Sequence, residues 1–184
     1  MKTAHTLLLL GFAAITSACN NSKETTSTET NTETTTKQTA TTTNLPYTKN
    51  SKYNWEFNPD QKNEAIVLNV FKAMEQLDHQ TIGKFTADSI VSNIDGVKFK
   101  GTREQIMQLN KDFFATLKTL KVVPTDWRSV VNKDKSEEWV SVWFTQHWED
   151  QKGQRDSVNV FNDIKLKDGK ITAWNEYLQH FPKP

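Results

Sequence analysis

From Ile66 onward, apolar residues recur every three or four positions, at Ile66, Val67, Val70, Phe71, Met74 and Leu77. This is the spacing of one helix face turned to a core. Asn58-Pro59 ahead of them supplies a capping residue and a proline suited to a first turn, so the helix is expected to open there. Asp78 can cap a shorter second helix carrying Ile82 and Phe85, and residues 88–94 read as a strand that stops at an Asp95-Gly96 turn. Thr102 and Gln105 have the spacing of a capping box, behind which Ile106, Leu109, Phe113, Leu117 and Leu120 continue the helical period.

Past Leu120 the period changes from 3.6 to 2. Residues 121–132, 138–149, 157–167 and 171–180 form four long strand candidates, separated by polar turns at 133–136, 150–154 and Asp168-Gly169. Three helices, one early strand and a meander make an α+β order, in which an antiparallel sheet packs one face on the helices. Each strand then offers two faces. Trp139, Ser141, Trp143, Thr145 and His147 share one parity, and Val140, Val142, Phe144 and Trp148 share the other. The first set is mixed in character, as a pocket wall is, and is taken as the pocket face. Trp174, Glu176 and Leu178 alternate with Ala173, Asn175 and Tyr177, and parity alone leaves open which set faces in.

The region before the helices adds an address. Met1-Lys2 is a short basic start, 7–15 an apolar run too short to span a bilayer, and Thr16-Ser17-Ala18 a set of small residues suited to signal cleavage. Cys19, the only cysteine, follows directly. Small residues running into a cysteine resemble a bacterial lipobox, which implies a signal peptide over 1–18 and a diacylated Cys19 as the membrane anchor. Two or three acyl chains, at about 0.8 kcal/mol per buried methylene, hold a protein on a bilayer durably. Asn20, where an aspartate would favour inner-membrane retention, directs the expectation to the outer membrane of the cell envelope. With its one thiol used so, the chain is expected to lack disulfides, a thiol nucleophile and a cysteine metal site.

Residues 20–44 are mostly threonine with Asn, Ser, Glu and Lys, too polar to offset the entropy of ordering. Residues 19–52 are therefore expected to be a disordered tether with a reach of roughly 30 Å, a stretch that glycosylation of its threonines would also suit. Residues 53–184 are the right size for one domain. A formal net charge of +1, with Lys and Glu interspersed, argues against a nucleic-acid surface. HExxH, a phosphate loop and a Ser-centred elbow are all absent from the sequence, so no metal or cofactor is expected.

Phe85-Thr86-Ala87-Asp88, the run Gly101-Thr102-Arg103-Glu104-Gln105-Ile106, and Asp168-Gly169-Lys170-Ile171 followed by Glu176-Tyr177 stand in an order that resembles the SnoaL-like branch of the nuclear transport factor 2-like superfamily. The resemblance covers about residues 60–181. It implies a cone: a curved sheet wrapped on three helices around an internal pocket. It also implies either isomerase, cyclase, dehydratase or epoxide hydrolase chemistry, or a binding or assembly role, because the fold hosts all of these. Where related isomerases carry a basic carboxylate this chain has Asn93, and where related cyclases carry an acid it has Gln179. Both departures favour binding over turnover.

The leading expectation is a lipid-anchored domain that binds a small apolar or amphipathic ligand, lined by Asn93, Trp127, Trp143, His147 and Tyr177, or that pairs through its sheet with a second copy or a protein partner. Core packing is the preferred account of the tryptophans, and a structural role that of the lone His147. The alternative is a metal-independent lyase, isomerase or hydrolase that uses a pocket carboxylate, Asp126, Asp163 or Glu176, with His147 or Tyr177 as partner. A carboxylate inside the cone within reach of either partner would favour the enzyme.

Overall fold

The computed structural model describes residues 44–182. The expected signal segment, Cys19 and the tether up to residue 43 lie outside the described residues.

The first helix, α1 (Lys62–Glu75), starts later than Asn58-Pro59 suggests. Asn58 Oδ1 accepts the Asp60 N–H and Asp60 Oδ1 the Lys62 N–H, both at 3.0 Å, so two side chains turn the backbone before the helix begins. α1 ends in a Schellman arrangement, with the Asp78 N–H on the Ala73 carbonyl and the Leu77 N–H on that of Met74. Leu77 takes the left-handed position at φ 55°, where glycine is usual. Asp78 then caps α2 (His79–Phe85), as expected, accepting the Thr81 N–H at 3.0 Å. β2 (Thr86–Ile94) follows without a break and turns at Asp95-Gly96, both at positive φ, into β3 (Val97–Thr102). The sequence reading missed β3, as it missed the short β1 (Trp55–Phe57).

The capping box is present at the start of α3 (Arg103–Ala115), with both reciprocal hydrogen bonds formed. The helix stops before Leu117 and Leu120, which belong instead to β4 (Leu117–Asn132). A register shift between Leu117 and Thr119 lets both leucines face inward despite their spacing of three, and that spacing is what imitates a continuing helix. β5 (Glu138–Asp150), β6 (Arg155–Lys167) and β7 (Lys170–His180) complete the chain order.

All seven strands join one curved, unclosed sheet in the order β1-β4-β5-β6-β7-β2-β3. The expected meander β4 to β7 is antiparallel throughout, but β7 lies parallel to β2, with Ser92 opposite Trp174 and Ile94 opposite Glu176. The sheet is therefore mixed. Local alternation carries no information about which strand a distant one adjoins, so this pairing was not legible.

The core lies on the concave face. Val67, Val70 and Phe71 of α1 pack with Val140, Val142 and Phe144 of β5 and Val160, Ile164 and Leu166 of β6. Phe71 meets Phe144 at 4.9 Å and Trp174 at 5.9 Å between ring centres. Acids of α1 reach the sheet as well: Glu75 accepts the Val122 N–H at 3.0 Å and Glu64 the Ser129 N–H at 3.1 Å, which supplies acceptors along the side of β4 that β1 does not cover.

A candidate ligand cone with one buried acid

Helices and concave sheet do not fill the space between them completely. A cavity of about 360 Å³ remains between α1, α3 and strands β2, β3 and β7. Its walls are apolar, with Met74 of α1, Ile90 of β2, Phe99 of β3, Ile106 and Phe113 of α3 and Trp174 of β7. Leu109, Phe113, Ile94 and Val97, all well exposed, stand around its opening. Phe113 thus lines the mouth at 47% exposure, and its neighbour Phe114, 6% exposed, is the α3 residue that enters the core.

Glu176 is the one titratable side chain among the lining residues. Its parity follows from the ladder: Glu176 lies opposite Asn162 and Trp174 opposite Ile164, and both β6 residues are wholly buried on the concave side. Burial pushes the Glu176 carboxyl above its ordinary pKa, and the charge of Asp95 pushes in the same direction. Two groups oppose them. Trp174 Nε1 donates to Glu176 Oε2 at 3.3 Å, and the Asn162 amide, facing it across the strand pair, also favours the charged form without reaching ordinary hydrogen-bond geometry. Ser92, Asn110 and Gln146 are further polar residues on the cavity wall.

The other residues singled out from sequence lie elsewhere. Trp143 and Tyr177 are on the convex face, where Trp143 stacks near Phe161 at 5.0 Å and Phe161 near Tyr177 at 5.8 Å. His147 shares that parity and is exposed. Asn93 points away from the cavity, between Ser92 and Ile94, which line it. Trp127 has the parity of the concave face, opposite Val142, yet is 40% exposed and not a cavity residue. The face taken as the pocket wall is therefore the outer one, and the pocket lies on the face of Val142 and Phe144.

Of the three carboxylates proposed for catalysis, only Glu176 is in the cone. Asp163 is on the convex side, accepting a hydrogen bond from Ser141 Oγ at 2.8 Å, with its pKa raised by partial burial against that bond. Asp126 lies across from Trp143, in an ion pair with Arg128 at 3.3 Å, beside a shallow outer groove that also includes Asn159 and Gln179. Neither expected partner, His147 or Tyr177, shares the cavity with Glu176.

The sequence reading did not single out Ser92, Gln146 and Asn162, although a signal was available. Each interrupts an apolar set of period two: Ser92 within Ile90 and Ile94, Gln146 within Phe144 and Trp148, Asn162 within Val160 and Ile164. A polar residue inside a buried parity marks a polar spot in a core more sharply than a mixed face does, because burial without a partner is costly. Among the described residues no group of three or more His, Cys, Asp or Glu is placed to hold a metal ion, and no helix is long and apolar enough to cross a membrane.

No family model matches the sequence, and no curated protein matches it. Solved structures do match in shape. An LEH-like epoxide hydrolase from M. tuberculosis aligns with a TM-score of 0.55 at 16% identity, over 66% of this chain and 86% of its own. An NTF2-like protein of unknown function from Burkholderia pseudomallei aligns at 0.52 and 10%, over 64% and 91%. A protein with a ketosteroid isomerase-like fold from Catenulispora acidiphila, solved in complex with trimethylamine, aligns at 0.51 and 17%, over 61% and 83%. Identities this low speak for architecture only, and in architecture the described chain is a protein of the nuclear transport factor 2-like, ketosteroid isomerase-like fold.

Proposed function

We propose that the chain is a small-molecule-binding domain whose cone holds a largely apolar guest and whose Glu176 meets the guest's polar group. The observation that carries this reading is a single acid at the wall of a mainly apolar cavity of about 360 Å³. Apolar walls supply most of the contact area and one polar group orients the ligand. The test is a cavity-filling variant: Ile106→Trp should abolish binding of an apolar fluorescent probe while circular dichroism and cooperative melting persist. Undiminished probe binding by that variant would overturn the reading.

The alternative is a metal-independent acid–base enzyme, and the raised pKa of Glu176 favours it, since a desolvated carboxyl keeps its proton to higher pH than an exposed one. Turnover of an epoxide or carbonyl substrate by the wild type, lost in Glu176→Gln, would establish it. Survival of turnover in that variant would remove Glu176 from any chemistry.

We place this domain at the bacterial cell envelope, anchored by lipidated Cys19 and more readily in the outer than the inner membrane. The lipobox-like run from Thr16 to Cys19 supports this. Cys19→Ala should move the protein from the membrane fraction to the soluble one, and a variant that still pellets with membranes would refute the anchor. Self-association belongs on the convex sheet face, where the row Trp143, Phe161 and Tyr177 leaves apolar surface exposed.

A further inference from the structure

Glu176 has an unusual set of neighbours for a buried acid. None of the cavity's lining residues is Lys, Arg or His, so the protein itself brings no counter-charge to the wall. The other carboxylate acting on it, Asp95 at the β2–β3 turn, has the same sign. α1 contributes Val70 and Met74 to the cavity, α2 Ile82, α3 the neutral Asn110 and β5 the neutral Gln146, and none of these titrates. Yet the group in hydrogen-bond contact with the acid is the Trp174 indole, which can donate and cannot accept. An indole N–H aimed at a carboxyl oxygen favours the ionised form, as does the Asn162 amide opposite. The wall thus turns N–H groups toward the acid's ionised form while withholding the cation that a carboxylate out of water needs, so that the empty cone favours the neutral acid.

We propose that the cone is a site for a hydrophobic organic ammonium ion, with Glu176 as its counter-ion. The proposal rests on the reading of the cone as a binding site and specifies the guest's chemistry. An ammonium head beside Glu176 supplies the missing charge in a place where water screens it only in part. Its apolar substituents fill the space lined by Met74, Ile90 and Ile106, and the rings of Phe99, Phe113 and Trp174 suit a cation as well as a hydrocarbon. The side-chain oxygens of Ser92, Asn110 and Gln146 can accept from any N–H the head carries. A neutral guest with a carbonyl would require the opposite, a protonated Glu176 acting as donor, and would gain nothing from the indole's orientation.

A charged and a neutral guest differ in pH dependence, which makes the test sharp. Benzyltrimethylammonium is permanently charged, and neopentylbenzene is its neutral carbon isostere. Titration of the full chain by calorimetry, with tryptophan fluorescence as a second readout, compares them from pH 4 to 8. The ammonium should bind at least about tenfold more tightly than the isostere at the upper end. Its affinity should rise with pH and level off once Glu176 ionises without help, while the isostere's affinity does not rise. In Glu176→Gln the ammonium should fall to the affinity of the isostere, with the isostere unaffected. If that variant does not fold, the pH dependence of the wild type decides alone. Equal binding of the two probes, or an ammonium affinity that is flat or falls with rising pH, overturns the ammonium proposal and leaves the apolar cone intact. Failure of both probes to bind overturns the cone itself.

Discussion

The two faces of strands β5, β6 and β7 are made from the same thirty-odd residues and behave as different materials. On the concave side Val140, Val142, Val160 and Ile164 are shut off from water, and polar residues are few among them: Gln146 lies between apolar neighbours, and Asn162 faces Glu176. On the convex side, residues run across the sheet in rows of like kind: Ser141, Asp163 and Asn175, then Trp143, Phe161 and Tyr177, then Thr145, Asn159 and Gln179. Ser141 donates to Asp163, Thr145 to Asn159, and Asn159 to Gln179, so the outer polar groups pair with one another at the surface. Chemistry follows isolation rather than number. Many polar groups that satisfy each other leave nothing for a ligand, whereas one acid without a counter-charge does.

The contrast breaks first, and hardest, in stability. Phe71→Ala removes a ring that packs on both Phe144 and Trp174, and should cost about 3–5 kcal/mol in urea unfolding. Trp143→Ala deletes a larger side chain, but one 38% exposed, held by Phe161 and by Arg128 at 6.0 Å over its ring. It should cost about 1 kcal/mol. A loss at Trp143 equal to that at Phe71, accompanied by a fall from dimer to monomer in sedimentation, would mean that a second copy buries the convex row.

A finer test uses pH. The pKa of Glu176 is raised in the folded protein, so its neutral form is the better tolerated one. The stability it contributes is fully present below the unfolded pKa and is lost as pH rises through the folded value. Glu176→Gln, which keeps an acceptor for Trp174, should remove that decline and leave the variant more stable than the wild type at pH 7. Identical pH profiles would place Glu176 in water. The smallest expected effect is Asp163→Asn: its pKa is raised in the same sense, but the group is only partly buried and Ser141 already donates to it. The change in slope should therefore be just measurable and smaller than that of Glu176.

Most of the fold was legible because its signals are local. The Asp78 cap, the Thr102–Gln105 box and the alternation of Val140, Val142 and Phe144 each need only a few residues to be recognised. The pocket was less so. Parity separates two faces without naming the inner one, and the set that contains Trp143 and His147 resembles a wall because it mixes aromatic with polar side chains. What turns β7's Glu176 inward is its hairpin register against β6 together with its parallel neighbour β2, and the second depends on residues about 80 positions away in the chain. Leu117 and Leu120 misled for the converse reason, since a register shift of a single strand reproduces a helical spacing.

The parallel pairing of β7 with β2 also sets an order of events in time. Without β7 the sheet is two separate pieces, β1-β4-β5-β6 and the β2–β3 hairpin, with nothing hydrogen-bonded between them. Ser92 and Trp174 stand about 80 residues apart in the chain, so the joining contact is of long range and its closure is slow. On a ribosome β7 emerges after every other element of the domain. Trp174 and Glu176, which make the wall of the cone, are carried by the same strand that joins the two pieces. The cavity and the finished sheet therefore come into being in a single step, and a nascent or truncated chain that lacks β7 has neither.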